Sequence, residues 1–257
     1  MSLLRVDGLT CRFGGVIAND AISFEIARPG VFAVIGPNGA GKTTLFNMVS
    51  GFIRPTAGKV FFDGADITGK PPERIAALGL VRTFQLTKLF HDLTVAENVK
   101  VGRHVRTRAG ILGALIRIGR AGREERETDE RARVLLDMVG LRAQADAKAA
   151  ILPYGQQRLL EIARAMAAEP RLLLLDEPAA GLNHDETAAL SALVRRIADG
   201  GTTVLLIEHD MRLIMNTADH IVVLNFGRKI AEGSPEKIQS DPAVIEAYLG
   251  GVEMLHA

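Results

Sequence analysis

Gly36-Pro37-Asn38-Gly39-Ala40-Gly41-Lys42-Thr43 is the stretch of this chain that decides its fold. It matches the pattern G-x-x-x-x-G-K-[ST], and it lies between an apolar run at residues 31–35 and a helical pattern that starts at Lys42. A strand, a glycine loop and a helix in this order are the context in which the motif binds phosphate. Glycines let backbone N–H groups approach the phosphates, and the positive end of the helix points at the same place.

This loop predicts a set of nucleotide-binding residues. Lys42 is expected to reach the β and γ phosphates as a point charge, while Thr43 offers its hydroxyl to Mg²⁺. The other predicted nucleotide-binding residues of the loop are Gly36, Pro37, Asn38, Gly39, Ala40, Gly41 and Thr44. We therefore expect ATP and Mg²⁺ as ligands.

A second candidate is the carboxylate pair Asp176-Glu177, which follows four leucines. The pattern places both side chains at the carboxyl end of a buried strand, where open α/β sheets bind their ligands. Asp176 suits Mg²⁺, and Glu177 can polarise the water that attacks the γ-phosphate. A carboxylate pair after a strand can also be only a solvated strand end. The phosphate loop elsewhere in the chain favours the functional interpretation.

Composition limits the class of protein. The chain has 257 residues, 47% hydrophobic and 24% charged, which is typical of a globular protein with a full core. The formal charge of +1 indicates no general attraction to nucleic acid. The single cysteine, Cys11, cannot form an intrachain disulfide and is expected to be a small buried apolar residue. Because neither a spanning helix nor a secretory signal is apparent, we expect a cytoplasmic location.

The order of patterns along the chain favours an α/β fold. Short β-like runs occupy the first third, a mostly helical pattern covers residues 74–140, and apolar runs return at residues 172–175, 203–207 and 221–224. Strand, helix, strand implies a parallel sheet. Asn183, with Glu186 three residues later, predicts a capped helix that stops at Gly200-Gly201. Ser234-Pro235 and Asp241-Pro242 predict two further helix starts.

Leu152-Pro153-Tyr154-Gly155-Gln156-Gln157-Arg158 narrows the class of nucleotide-binding protein. It resembles the signature motif L-S-G-G-Q-x-R of ATP-binding-cassette (ABC) proteins. Phosphate loop, signature and carboxylate pair also follow the family's order. Pro153 replaces the serine and offers neither hydroxyl nor N–H, while Tyr154 replaces the first glycine. Gly155 and Gln156 are retained, and by resemblance they contact the nucleotide held by a partner subunit.

The resemblance assigns further roles along nearly the whole chain. Gln85, in Val81-Arg82-Thr83-Phe84-Gln85, is similar to the family's Q-loop glutamine, whose side chain approaches Mg²⁺ and senses the γ-phosphate. His209 is similar to the switch histidine that contacts the γ-phosphate. Phe13 resembles the aromatic residue that stacks on adenine, although core packing remains an equal alternative. Asn183 resembles a residue of the D-loop, or it simply caps its helix.

The family implies the fold and its subdivision. We expect a P-loop NTPase of the ABC ATPase type, with a RecA-like parallel sheet core, an antiparallel β subdomain and an inserted helical subdomain. A single domain covers residues 1–257. Residues 1–85 and 165–230 are expected to form the nucleotide-binding core, 86–164 the helical and signature subdomain, and 231–257 the C-terminal helices.

Several segments resemble the ATP-binding subunit of branched-chain amino-acid importers, among them Glu177-Pro178-Ala179-Ala180-Gly181-Leu182-Asn183 and the ending Ala247-Tyr248-Leu249-Gly250. The resemblance implies a second ATPase subunit in a hetero- or homodimer, two transmembrane permease subunits and, indirectly, a solute-binding protein, with no nucleic acid. It implies a peripheral location on the cytoplasmic face of the inner membrane. Related cassettes serve urea, short amides and lipopolysaccharide export, so these solutes remain alternatives.

Residues 103–123 carry six arginines and no acidic residue around an apolar centre. Such a segment is suited to anionic lipid headgroups or to an acidic permease loop. The alternative is that this segment is a solvent-exposed extension of the helical subdomain without a binding role.

Two other functions compete with a transport motor. A structural or DNA-maintenance ATPase would need long coiled-coil arms, but the stretch between Gln85 and Leu152 is short and lacks sustained heptads. A small-molecule kinase would need an acceptor hydroxyl, whereas Glu177, His209 and the signature favour water.

Overall fold

The computed structural model of this chain describes residues 2–83, 89–103 and 121–253. Two compact units divide the chain between them. The first joins Met1–Arg82 to Arg171–Ala257, and the second is Thr83–Pro170. Within the three described ranges, every helix is too short or too polar to span a lipid bilayer.

Strands β1 to β10 all belong to the first unit. They are β1 (Leu4–Phe13), β2 (Val16–Ile26), β3 (Val31–Ile35), β4 (Ala57–Phe62), β5 (Ala65–Asp66), β6 (Leu80–Arg82), β7 (Leu172–Asp176), β8 (Thr203–Ile207), β9 (His220–Asn225) and β10 (Arg228–Gly233). The described helices are α1 (Lys42–Val49), α2 (Pro72–Ala77), α3 (Val95–Arg103), α4 (Ala121–Met138), α5 (Tyr154–Ala167), α6 (His184–Asp199), α7 (Met211–Thr217), α8 (Pro235–Gln239) and α9 (Pro242–Glu253).

Six of the strands form a sheet in the order β10-β9-β3-β8-β7-β6, in which only β10 pairs antiparallel. Every residue of β3, β7 and β8 is buried, which explains why their sequences are continuously apolar rather than alternating. Because parallel strands end at one edge, the residues that follow β3, β7 and β8 lie at the same edge. The predicted α/β fold with a parallel sheet is confirmed.

The other four strands form an antiparallel sheet in the order β2-β1-β4-β5, which confirms the predicted antiparallel β subdomain. Its buried face shares one hydrophobic core with α1, where Leu4 and Phe62 join Leu45 and Phe46 of the helix. Each such side chain contributes about 1.5–3 kcal/mol by leaving water. Cys11 lies in this core, as its residue type predicted.

The predicted start of α6 is confirmed in detail. The N–H of Glu186 donates to the Asn183 side chain and the N–H of Asn183 donates to the Glu186 carboxylate, each at 2.9 Å. This reciprocal pair is a capping box. Both further helix starts are confirmed, since α8 begins at Pro235 and α9 at Pro242, although the Ser234 side chain makes no cap hydrogen bond.

The prediction of a mostly helical stretch over residues 74–140 is wrong at Leu80–Arg82, which forms the edge strand β6 beside β7. Three residues are too few to show a periodicity. Pairing with a strand almost a hundred positions later decides their conformation, and that pairing is invisible in the local sequence.

The second unit is built on α3, α4 and α5. Gly102 of α3 approaches α5 so closely that an added Cβ would lie 2.0 Å from the Arg164 carbonyl oxygen. Asn98 is fully buried and joins the preceding loop to α3, since its side chain accepts from the Phe90 N–H at 2.9 Å and donates to the Phe90 carbonyl at 3.0 Å.

Candidate functional site

The phosphate-loop sequence forms the turn between β3 and α1, as predicted. Gly36 and Gly41 both have positive φ, of 152° and 95°. A Cβ on Gly36 would lie 2.1 Å from the Leu224 carbonyl oxygen, and one on Gly41 would lie 2.4 Å from the Ala18 carbonyl oxygen. Only glycine fits these two positions, because backbone conformation and space both exclude a side chain.

Lys42 folds back over this turn and is 7% exposed. Its Nζ donates to the carbonyl oxygens of Gly36 at 2.7 Å and Pro37 at 2.9 Å. Burial lowers the pKa of Lys42, and the charges of Glu177 and Asp176 oppose that change. The ammonium group is therefore bound by the loop carbonyls, and the negative charges of the carboxylate pair favour its charged form.

An open cavity of about 440 Å³ brings the loop and Glu177 together. Its walls include Asn38, Gly39, Ala40, Gly41, Lys42, Thr43, Thr44, Glu177, Val16, Ile17, Ala18, Phe226 and Gly227. Asn38 to Thr44 and Glu177 were predicted, whereas the apolar wall of Val16, Ile17 and Phe226 was not. Phe226 is 77% exposed at the turn between β9 and β10, and its local sequence carries no signal of this position.

Phe13, at the end of β1, pairs with Val16 across the β1–β2 hairpin. Its side chain is 52% exposed. Core packing is therefore the wrong alternative for Phe13. The aromatic ring is available on the same hairpin that lines the cavity.

The carboxylate pair ends β7 as predicted, but Asp176 is 3% exposed and is not a solvated strand end. Its Oδ2 accepts from Arg82 Nη2 at 2.7 Å. Its Oδ1 is buried without a hydrogen-bond partner among the described residues. Glu177 follows with φ of 47°, and its N–H donates to the Ile207 carbonyl oxygen at 2.9 Å.

Arg82 is a residue of this site that the sequence prediction missed. Besides Asp176, its Nη1 donates to Asn47 Oδ1 at 2.7 Å and to Ser50 Oγ at 2.9 Å. The guanidinium thus joins β6, β7 and the end of α1. An arginine directly after the apolar residues Leu80 and Val81 was the available signal.

His209 follows β8, so it lies at the same edge of the sheet as Glu177. Its side chain is 62% exposed and its Nδ1 is 3.8 Å from Glu208 Oε2. Glu208 itself is fully buried, and its carboxylate accepts backbone N–H groups of Ala179, His209 and Asp210. Burial raises the pKa of Glu208 even though these N–H groups and His209 oppose the change.

The signature stretch starts α5 in the second unit. Pro153 occupies the N-cap position with φ of −55° and no side-chain cap, and the helix runs from Tyr154 with Gly155 buried in its first turn. The Tyr154 hydroxyl accepts from Arg158 Nη2 at 2.8 Å. Because proline occupies the position of the family's serine, the N-cap residue offers no side-chain hydrogen bond to the first N–H groups of this helix.

Two predictions fall outside the described residues. Gln85 lies in the stretch 84–88, and the basic segment 103–123 lies mostly in the stretch 104–120. Their predicted roles stay predictions.

Comparison with known proteins gives two family matches. Residues 19–180 match the family described as ABC transporter. Residues 228–253 match the family described as branched-chain amino acid ATP-binding cassette transporter. The first match alone covers more than half of the chain.

Full-length relatives are similar throughout. The high-affinity branched-chain amino acid transport ATP-binding protein BraF of Pseudomonas aeruginosa is 48% identical over 96% of this chain and 98% of its own length. LivG of Escherichia coli, which bears the same description, is 45% identical with the same coverage. The crystal structure of the ADP conformation of MJ1267, an ATP-binding cassette of an ABC transporter, superposes with a TM-score of 0.85 at 34% identity, covering 97% of this chain and 99% of that one.

Proposed function

The chain belongs to the ABC transporter family of ATP-binding cassettes, and on that premise we propose that it is the ATP-hydrolysing motor subunit of an importer for branched-chain amino acids. The observation that carries the proposal is the cavity that places Glu177 beside residues 38–44 of the phosphate loop. The solute is proposed from the relatives BraF and LivG and from the family match at residues 228–253.

In the proposed complex, ATP lies along the loop and the N-terminus of α1. Backbone N–H groups of the loop bind the phosphates, and Lys42 exchanges its two loop carbonyls for the β and γ phosphates. The base extends toward the β1–β2 hairpin, where Phe13 stacks on it and Val16 and Phe226 supply apolar surface. Thr44 belongs to the same phosphate site.

The residues present also fit Mg²⁺. Asp176 has a buried carboxylate oxygen without a partner among the described residues, and Thr43 lines the cavity with a hydroxyl. Carboxylate and hydroxyl oxygens are the ligand types that Mg²⁺ takes. Thr43 and Asp176 would hold the ion, with Gln85 as the third proposed contact. When bound, Mg²⁺ supplies positive charge against the phosphate oxygens.

Glu177 is the proposed general base and His209 the proposed γ-phosphate contact. Glu177 takes the proton of a water as that water attacks the γ-phosphorus. The bond between the γ-phosphorus and the bridging oxygen breaks, and ADP leaves with its electron pair. His209 donates a hydrogen bond to the γ-phosphate, and the products are ADP and inorganic phosphate.

The family also suggests the assembly. We place the chain beside a second ATPase subunit, under two transmembrane permease subunits fed by a solute-binding protein, on the cytoplasmic face of the membrane. Gly155 and Gln156 contact the nucleotide of the partner subunit in this arrangement. The residue ranges expected for the core, the helical subdomain and the C-terminal helices stay predictions.

The test of hydrolysis is Glu177→Gln in the full chain. We expect ATP to bind as before, with turnover lowered about a hundredfold or more and the ATP-bound dimer trapped, because only the proton acceptor is lost. Glu169→Gln is the matched control, since Glu169 is an exposed glutamate that also has positive φ, at 48°. Normal turnover by Glu177→Gln would refute the general-base assignment.

The reaction products distinguish a small-molecule kinase from a transport motor. We expect phosphate release without any phosphorylated small molecule. Copurification with membrane subunits, followed by uptake of leucine, isoleucine and valine into vesicles with urea and a short amide as competitors, tests the solute.

A further inference from the structure

Glu208 is a buried carboxylate to which the mechanism above gives no task. It is fully buried at the carboxyl end of β8. Its Oε1 accepts the Ala179 N–H at 2.7 Å, and its Oε2 accepts the His209 N–H at 3.0 Å. The N–H of Asp210 also donates to Oε2, at 3.4 Å. Oε1 of Glu208 therefore binds the backbone of the loop after β7, and Oε2 binds the backbone of the loop after β8.

The loop held by Oε1 contains a strained residue. Glu177 has φ of 47°, in the left-handed region that side chains with a Cβ rarely occupy. Such strain persists only where the surrounding structure fixes the backbone. The Glu177 N–H donates to the Ile207 carbonyl at 2.9 Å, and two residues later Ala179 is held by Glu208. Ile207 at the end of β8 and Glu208 directly after it thus fix the loop at the strained residue and two positions beyond it.

The loop held by Oε2 carries His209. The His209 side chain is mostly exposed, so packing of that side chain does little to fix the backbone. Its N–H is bound by Glu208 instead, and Asp210 caps α7 immediately afterwards. Both loops consequently depend on the same carboxylate.

We infer that Glu208 is a positioning residue that ties the loop of Glu177 to the loop of His209, so that the general base and the γ-phosphate contact keep a fixed separation. The inference rests on the proposed function, because it assigns these two neighbours to hydrolysis. Glu208 itself is fully buried and is not among the residues that line the cavity at the phosphate loop.

The chemistry of the side chain explains why glutamate is needed. Both oxygens of a carboxylate accept hydrogen bonds, which matches N–H donors on two sides. Glutamine has the same shape but places an NH₂ group against one of the two loops, so that loop loses its acceptor. Aspartate keeps the charge but is one carbon shorter, and it reaches one loop at the expense of the other.

The experiment compares Glu208→Gln with Asp219→Asn in the full chain. Asp219 also accepts a backbone N–H, that of Val31 at 2.8 Å, but at the opposite end of β3 from the phosphate loop. The control variant therefore also loses the hydrogen bond between a carboxylate and a backbone N–H, but at a position away from the site. ATP affinity without hydrolysis, kcat, thermal stability and hydrogen exchange of the Ala179 and His209 amides are measured for each variant.

For Glu208→Gln we expect kcat to fall about ten- to hundredfold, because a small displacement of the reacting groups has that effect, while ATP affinity stays within about twofold. Exchange at Ala179 or His209 becomes faster. Asp219→Asn lowers stability but keeps kcat within about twofold of the unmodified protein.

Unchanged kcat in Glu208→Gln overturns the inference. So does a parallel loss of kcat, affinity and stability, which indicates a purely structural role. If the glutamine variant does not fold, Glu208→Asp replaces it, and full activity in that variant overturns the inference equally. An unmodified protein that binds ATP without hydrolysing it would instead refute the proposed function.

Discussion

Arg82 and Asp176 form a buried ion pair, with Arg82 Nη2 at 2.7 Å from Asp176 Oδ2 and side-chain exposures of 6% and 3%. The pair joins the edge strand β6 to the carboxyl end of β7. It leaves Oδ1 of the aspartate as the buried oxygen that the proposed Mg²⁺ site uses. Oδ2 of Asp176 therefore binds Arg82, whereas Oδ1 is the proposed ligand of Mg²⁺.

Arg82→Met should destabilise the protein by about 3–5 kcal/mol, because it leaves the Asp176 charge buried without its partner. Urea unfolding followed by circular dichroism measures the change. Arg171→Met is the matched control, since the Arg171–Asp63 pair is about half exposed, and we expect its loss to cost less than about 1 kcal/mol. Equal costs for the two variants would contradict the assignment of Arg82.

Lys42→Ala should weaken ATP binding about a hundredfold or more, because it removes the charged donor that the loop presents to the phosphates. Titration with a fluorescent ATP analogue measures the affinity. Lys70→Ala, at an exposed lysine, serves as the control and should bind normally. Retention of affinity by Lys42→Ala would exclude the proposed contact.

Pro153→Ser tests whether the two ATP sites are unequal in a heteromer of this chain with a different ATPase subunit that has a complete signature. The proline at the N-cap of α5 supplies no hydroxyl, so we expect the nucleotide held by the partner subunit to be covered more weakly than in a site with a complete signature. Serine should strengthen nucleotide occlusion and change the ATPase rate of the heteromer. It should also stabilise the helix by about 0.5–1 kcal/mol as a side-chain cap.

Pro71→Ser is the control for the helix effect, because Pro71 occupies the N-cap position of α2 and also lacks a side-chain cap. It should gain stability without altering occlusion. Identical occlusion and ATPase rate in Pro153→Ser and the unmodified heteromer would count against unequal sites.

Asp219→Asn should lower stability by about 1 kcal/mol near neutral pH and by less in acid. Burial raises the pKa of Asp219, but the Val31 N–H and Arg195 outweigh it and hold the pKa below 3.8. A carboxylate with a lowered folded-state pKa stabilises the fold above its unfolded pKa, and that contribution disappears as pH falls through the folded value. Unfolding measured from pH 7 to pH 2 should show the two proteins converging, and a constant difference would contradict this.

Much of the fold was predictable because its signals are local. Continuous apolar runs identified β3, β7 and β8, since strands buried on both faces exclude polar residues. The Asn183 and Glu186 capping box was predictable for the same reason, as its partners are three residues apart. The conformation of Leu80–Arg82 was not, because a distant strand decides it.

The amino-acid sequence by itself determined the chemistry of the phosphate loop, the carboxylates that end β7 and the family to which the chain belongs. These are properties of contiguous residues, whose spacing alone specifies the local turn. Only the tertiary structure decided that Arg82 neutralises Asp176, 94 positions away, and that Glu208 holds Ala179 and His209 together. The buried charges of Asp176 and Glu208 are stable only with hydrogen-bond or ion-pair partners. Which partners lie within reach depends on how strands that are distant in the sequence pair.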